Sequence, residues 1–148
     1  MVNKNPVVLC CLLLLFGQAV ADDSNRHLQV DGMSVYLGVI PAQLTQQHPE
    51  MHGGGADKEH RYHLLIALLD SSSSERITDA QLKATVSLLG LAGSTKSLEP
   101  MHGAQSIMSY GNYFTMPKPE LYRIRVEIRR GDSKHLSVAN FVFQRPRD

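Results

Sequence analysis

The sequence contains no tryptophan, and its only two cysteines are Cys10 and Cys11. Both fall in the first 21 residues, which carry the three parts of a secretory signal. Lys4 is the positive start, Val7 to Phe16 is an unbroken apolar run of ten residues, and Ala19-Val20-Ala21 is a small-x-small cleavage pattern. Ten apolar residues are too few to cross about 30 Å of hydrocarbon as a helix, so the segment reads as a cleavable signal peptide rather than an anchor. Cleavage after Ala21 leaves residues 22–148 as one domain with no cysteine. That domain has no disulfide, although it enters an oxidising compartment where one would persist. It also has no thiolate nucleophile and no thiolate metal ligand.

An excess of charge of one sign is missing as well. Lysine and arginine total 15 against 14 aspartates and glutamates, and Lys4 leaves with the signal. A balanced domain has no electrostatic reason to bind nucleic acid or an anionic membrane. No later stretch approaches 18 consecutive apolar residues, so no membrane span is expected after cleavage. Gly-x-Ser-x-Gly and His-Glu-x-x-His are absent, which argues against a hydrolase and, with no cysteine nucleophile, against an enzyme.

Alternation and turn residues are what the chain does have. Asp31-Gly32 between apolar runs is a hairpin signal. Tyr62 to Asp70 reads as a buried strand ended by the serines Ser71 to Ser74. Ala80 to Leu88 places Leu82, Ala84, Val86 and Leu88 on one side; a helix is the rival reading, and the period of two favours a strand. Lys96 to Met101 and Ile107 to Met116 read as further strands. Leu121 to Arg130 alternates cleanly, with Tyr122, Ile124, Val126 and Ile128 inward. Leu136 to Phe143 returns after a turn at Gly131-Asp132, with Leu136 and Val138 inward and a shift before Phe141 and Phe143. Pro41 to Glu59 is a long irregular connection. The expected fold is all-β: an immunoglobulin-like antiparallel β-sandwich of about seven strands, without the cysteine pair and tryptophan of antibody domains.

Histidine and methionine are unevenly spread. Of the seven histidines and five methionines beyond the signal, nine fall in two windows, 48–63 and 101–116. These windows make up 32 of 127 residues, where an even spread would put about three. The first holds His48, Met51, His52, His60 and His63; the second holds Met101, His102, Met108 and Met116. Imidazole suits copper, zinc, iron and nickel, and thioether sulfur selects Cu(I). The structural alternative is that methionine fills apolar gaps in a core. Spacing constrains the set. His60 and His63 point to opposite faces of a regular strand, which favours His63, at the start of the firm strand. Met108 and Met116, eight residues apart, meet at one ion only if Gly111-Asn112 is a turn.

Leu98-Glu99-Pro100-Met101, then Tyr110-Gly111-Asn112-Tyr113-Phe114-Thr115-Met116-Pro117 and Tyr122-Arg123-Ile124, resemble a known pattern. They are similar to the periplasmic partner of bacterial iron-permease systems, a copper- and iron-handling β-sandwich family. Periplasmic His/Met Cu(I) chaperones are a looser analogue. The resemblance covers about residues 60 to 130. It implies that His63 (or His60) and Met101 are copper ligands. The family's third ligand is a histidine directly before the Tyr-Gly pair. Here Ser109 stands in that place with Met108 one residue earlier, so the set is either richer in methionine or short of a ligand. Met51-His52-Gly53-Gly54 has no counterpart in the pattern and would be a flap over the metal.

The expected site is therefore His63, Met101, Met108, Met116, His52, Met51 and His60, with Cu(I) as the metal and Cu(II) or iron as alternatives. The expected role is periplasmic metal delivery or buffering that assists iron uptake, with a membrane transporter or a metalloenzyme as partner. The competing expectation is a metal-free periplasmic binding or assembly module.

Overall fold

The computed structural model describes residues 26–45, 60–102 and 108–147. The signal peptide, Met51 and His52 lie outside the described residues. Among the described residues eight strands follow one another: β1 (His27–Val30), β2 (Met33–Pro41), β3 (Arg61–Asp70), β4 (Ala80–Leu88), β5 (Ser94–His102), β6 (Met108–Thr115), β7 (Leu121–Arg130) and β8 (Ser137–Gln144). A short 3-10 turn, Ala42–Thr45, follows β2. All pairings are antiparallel, in the order β1-β2-β3-β6-β5-β4-β7-β8. The outermost strands, β1 and β8, approach each other, so the sheet nearly closes on itself. Among the described residues no helix is long and apolar enough to cross a membrane.

The all-β expectation holds, with eight strands in one curved sheet rather than about seven in two. The turns follow local chemistry. Asp31 and Gly32 both have positive φ, 47° and 75°, the backbone that a two-residue hairpin with right-handed strand twist requires. After β3, the Asp70 carboxylate Oδ1 accepts from the backbone N–H groups of Ser72 (2.9 Å) and Ser73 (3.0 Å), which closes the serine turn.

Side-chain alternation sorts the core. Leu64, Ile66 and Leu68 of β3 are fully buried, as are Ile124 and Val126 of β7 and Ala84 of β4. With Tyr110 and Phe114 of β6 and Phe141 of β8 they form one apolar cluster between the two halves of the sheet. One alternation differs from expectation. In β8 the inward residues are Ser137, Ala139, Phe141 and Phe143, whereas Leu136 is exposed. The ladder pairs Phe141 with Ile124, Ala139 with Val126 and Ser137 with Ile128, so the two phenylalanines set the inward face and no shift is needed. Small residues face inward there at the expense of Leu136 and Val138.

β5 joins the two halves by changing partner. Ser94–Leu98 pairs with β4, and Glu99–His102 pairs with β6. Where β5 leaves β6, side chains replace the ladder. Asn112 Nδ2 donates to the Ser97 carbonyl at 2.8 Å, Asn112 Oδ1 accepts from Tyr113 N at 2.7 Å, and Lys96 Nζ donates to the Tyr113 carbonyl at 2.6 Å. These bonds satisfy backbone groups that the splay exposes. They also hold β6 extended through Gly111 and Asn112, the centre of the site described next.

Candidate metal centre

Gly111 lies on β6 between Leu65 of β3 and Glu99 of β5. Two residues along β6 in one direction is Tyr113, paired with His63; two in the other is Ser109, paired with Met101. Pleating puts all of these positions on one face. The missing Cβ at Gly111 leaves a hole there, and both donors fill it. A Cβ on Gly111 would stand 2.6 Å from Met101 Sδ, 2.8 Å from His63 Nε2 and 3.0 Å from Leu65 Cδ2. The sulfur and the nitrogen are therefore separated by less than the sum of the first two distances. That is the scale one metal ion bridges, with bonds of about 2.3 Å to sulfur and 2.0 Å to imidazole.

His63 is buried, at 4% exposure, although it lies on the sheet face opposite the main core. Its ring stacks on Tyr113, with centroids 4.5 Å apart and planes 21° apart. The Arg61 guanidinium lies over the other ring of that stack, 5.0 Å from the Tyr113 centroid. The stack fixes the imidazole plane. Met101 is half-buried, so the sulfur side of the pair is the more accessible. An imidazole beside a thioether, with Leu65 close by, is a soft donor set with no carboxylate in it. It suits Cu(I) better than a hard cation.

Among the described residues, Met116 and His60 separate from this pair. Met116 is fully buried in the apolar core, in phase with Phe114 and out of phase with Gly111, so it faces the other side of β6. This corrects its assignment as a ligand. The exception that would have brought it together with Met108 fails, because β6 runs extended through Gly111-Asn112. Met108 pairs with His102 in the ladder. His60 precedes β3 with φ of +57°, which swings it out of the strand alternation. Its Nδ1 lies 2.6 Å from Arg145 Nη2, away from His63. Among the described residues, no three or more His, Cys, Asp or Glu side chains form a metal-holding group.

Two residues were missed by sequence reasoning. Gly111 was legible as part of a Tyr-Gly-Asn segment, but as a turn former rather than as the space between two donors. Tyr113 lies within the expected strand Ile107 to Met116, and only the His63–Tyr113 pairing gives it a role. Of the remaining histidines, His27 stacks on Tyr36 at 4.3 Å, and His135 Nε2 sits 3.0 Å from Asp31 Oδ2, joining the β1–β2 turn to the β7–β8 loop.

No family model matches the sequence, and no curated protein matches it. Solved structures do match. A DUF4426-family protein of Pseudomonas aeruginosa aligns with a TM-score of 0.65 at 10% identity, over 83% of this chain and 95% of that one. FetP of uropathogenic Escherichia coli strain F11, expressed in the periplasm, aligns with a TM-score of 0.63 at 13% identity, over 82% and 93%. A copper-bound variant of Campylobacter jejuni P19 aligns with a TM-score of 0.59 at 13% identity, over 81% and 94%. At these identities the likeness is one of fold. The chain shares the β-fold of FetP and P19 over most of its length, a wider span than the motifs that first carried the resemblance.

Proposed function

We propose that the protein is an exported, non-enzymatic metal-binding protein that takes Cu(I) as cargo between His63 and Met101, for delivery or buffering in the periplasm. The observation that carries the proposal is the meeting of His63 Nε2 and Met101 Sδ over Gly111, each within 3 Å of the point where a Cβ would stand. The copper-bound states of FetP and P19 support it by analogy of fold. In this reading residues 1–21 are the signal peptide and 22–148 the working domain. The absence of cysteine from that domain leaves thioether sulfur as its only soft donor.

His63 anchors the ion from a buried, stacked position. Met101, at the more open side, is the ligand that exchanges first when copper passes to a partner, either a membrane transporter of an iron-uptake system or a metalloenzyme. Titration of the mature protein with Cu(I) under reducing conditions, against a competing Cu(I) chelator, tests the proposal. One tight equivalent, weakened by His63→Ala and by Met101→Ala, is the expected result. Weak, unsaturable uptake would favour a metal-free binding or assembly module instead.

A further inference from the structure

A cavity lies behind β3, on the face opposite His63. It is about 500 Å³ in volume and has apolar walls from Val39, Tyr62 and Phe143 and polar walls from Arg26, His60 and Arg145. Tyr62 and His63 are neighbours on the strand and so point to opposite faces, which makes this cavity distinct from the His/Met pair. Its size is that of a small-molecule pocket.

The polar groups have one sign. Arg26 and Arg145 are permanently cationic, and no aspartate or glutamate stands among the described residues that line the cavity. The Arg145 side chain is almost wholly buried, at 1% exposure. It is held in place by donation from Nη1 to the Pro146 carbonyl at 3.1 Å and by its contact with His60 Nδ1. A guanidinium only donates, so His60 Nδ1 accepts in this contact.

The apolar walls are aromatic. Tyr62 and Phe143 meet edge to face at 6.2 Å between centroids, with Arg145 5.7 Å from the Tyr62 ring and Arg26 5.6 Å from the Phe143 ring. Each guanidinium is therefore paired with an aromatic surface.

We infer that this cavity binds a small organic carboxylate with a flat apolar body. The planar guanidinium fork of Arg26 matches the two oxygens of a carboxylate, and the Tyr62 and Phe143 rings cover the apolar part. An inorganic anion would use the guanidinium groups but not the apolar walls.

The test is an NMR titration of the full mature protein with benzoate as probe and benzyl alcohol as its uncharged counterpart. Saturable shifts are expected around Phe143 and Tyr62 with benzoate, and binding about tenfold weaker with benzyl alcohol. Arg26 is exposed, so Arg26→Gln is expected to fold, as circular dichroism would show, and to weaken benzoate about tenfold. Arg61→Gln, on the other face of the sheet, and Met101→Ile should leave benzoate affinity unchanged. Equal binding of the two probes, no saturable binding, or an Arg26→Gln variant that binds as tightly as the parent would overturn the inference.

Discussion

His63 and Met101 approach each other diagonally across a glycine. His63 pairs with Tyr113, Met101 pairs with Ser109, and Gly111 lies between these two positions on β6. The space between the donors exists because residue 111 has no side chain. Gly111→Ala puts a methyl group 2.6 Å from the sulfur and 2.8 Å from the imidazole nitrogen, closer than carbon packs against either. The methionine can swing aside, but the stacked histidine has little freedom. Gly111→Ala should fold and lose at least about tenfold in Cu(I) affinity, as measured by chelator competition. An unchanged affinity would place the metal elsewhere.

The Tyr113 ring has a positioning role. Replacing it by leucine keeps an apolar side chain on β6 but removes the stack on His63. An aromatic pair contributes about 0.5–1.5 kcal/mol beyond its burial, so Tyr113→Leu should weaken Cu(I) about two- to tenfold. Tyr113→Phe, which keeps the ring, should restore it. If Tyr113→Phe and Tyr113→Leu lose affinity equally, stacking is not what holds the imidazole.

Met116 separates packing from binding. Met116→Leu keeps the volume of a fully buried residue and should bind Cu(I) as the parent does, at a cost below about 1.5 kcal/mol. Met116→Ala should cost about 2–5 kcal/mol of stability through the cavity it leaves, again without a specific effect on copper once the protein is folded. Denaturant melts and Cu(I) competition on the same preparations distinguish the two.

Asn112 should matter to the fold rather than to the metal. Its amide bonds both Ser97 and Tyr113 where β5 leaves β6. Asn112→Ala should cost about 1–3 kcal/mol in urea unfolding, and a loss near zero would mean that water replaces the amide.

Acid should act on the turn after β3. The Ser72 hydroxyl, then the backbone N–H groups of Ser73 and Ser72, hold the Asp70 carboxyl down to a pKa of about 2, from 3.8. Because the folded value is depressed, the stabilisation is fully present above pH 3.8 and is lost as pH falls towards 2. The melting temperature should drop through that window, and Asp70→Asn should make the drop shallower. Asp31 shifts the same way, through hydrogen bonds from Ser137 and then His135, and adds to the same acid limb. Identical slopes for the parent and Asp70→Asn would contradict this assignment.

Strands with a clear period of two were legible from sequence. β4 and β7 run over the expected residues because their apolar side chains repeat every second position and the ladder needs nothing else. β8 was misread in its first half because Leu136 and Val138 are more apolar than Ser137 and Ala139. Only pairing with β7 shows that the phenylalanines choose the face. The donor pair was legible as residue types, since His63 opens a firm strand and Met101 follows a proline. Its convergence was not, because that depends on β5 changing partner at Leu98 and Glu99, a property of three strands at once. Met116 looked equivalent to Met101 in sequence, and its phase on β6 sends it into the core instead.

Copper X-ray absorption on the Cu(I)-loaded protein tests the central claim most directly. The account predicts a sulfur neighbour at about 2.3 Å together with nitrogen near 2.0 Å, with the sulfur signal lost in Met101→Ile and the nitrogen signal reduced in His63→Ala. A sulfur signal that persists in Met101→Ile, or copper surrounded by oxygen and nitrogen alone, would contradict it.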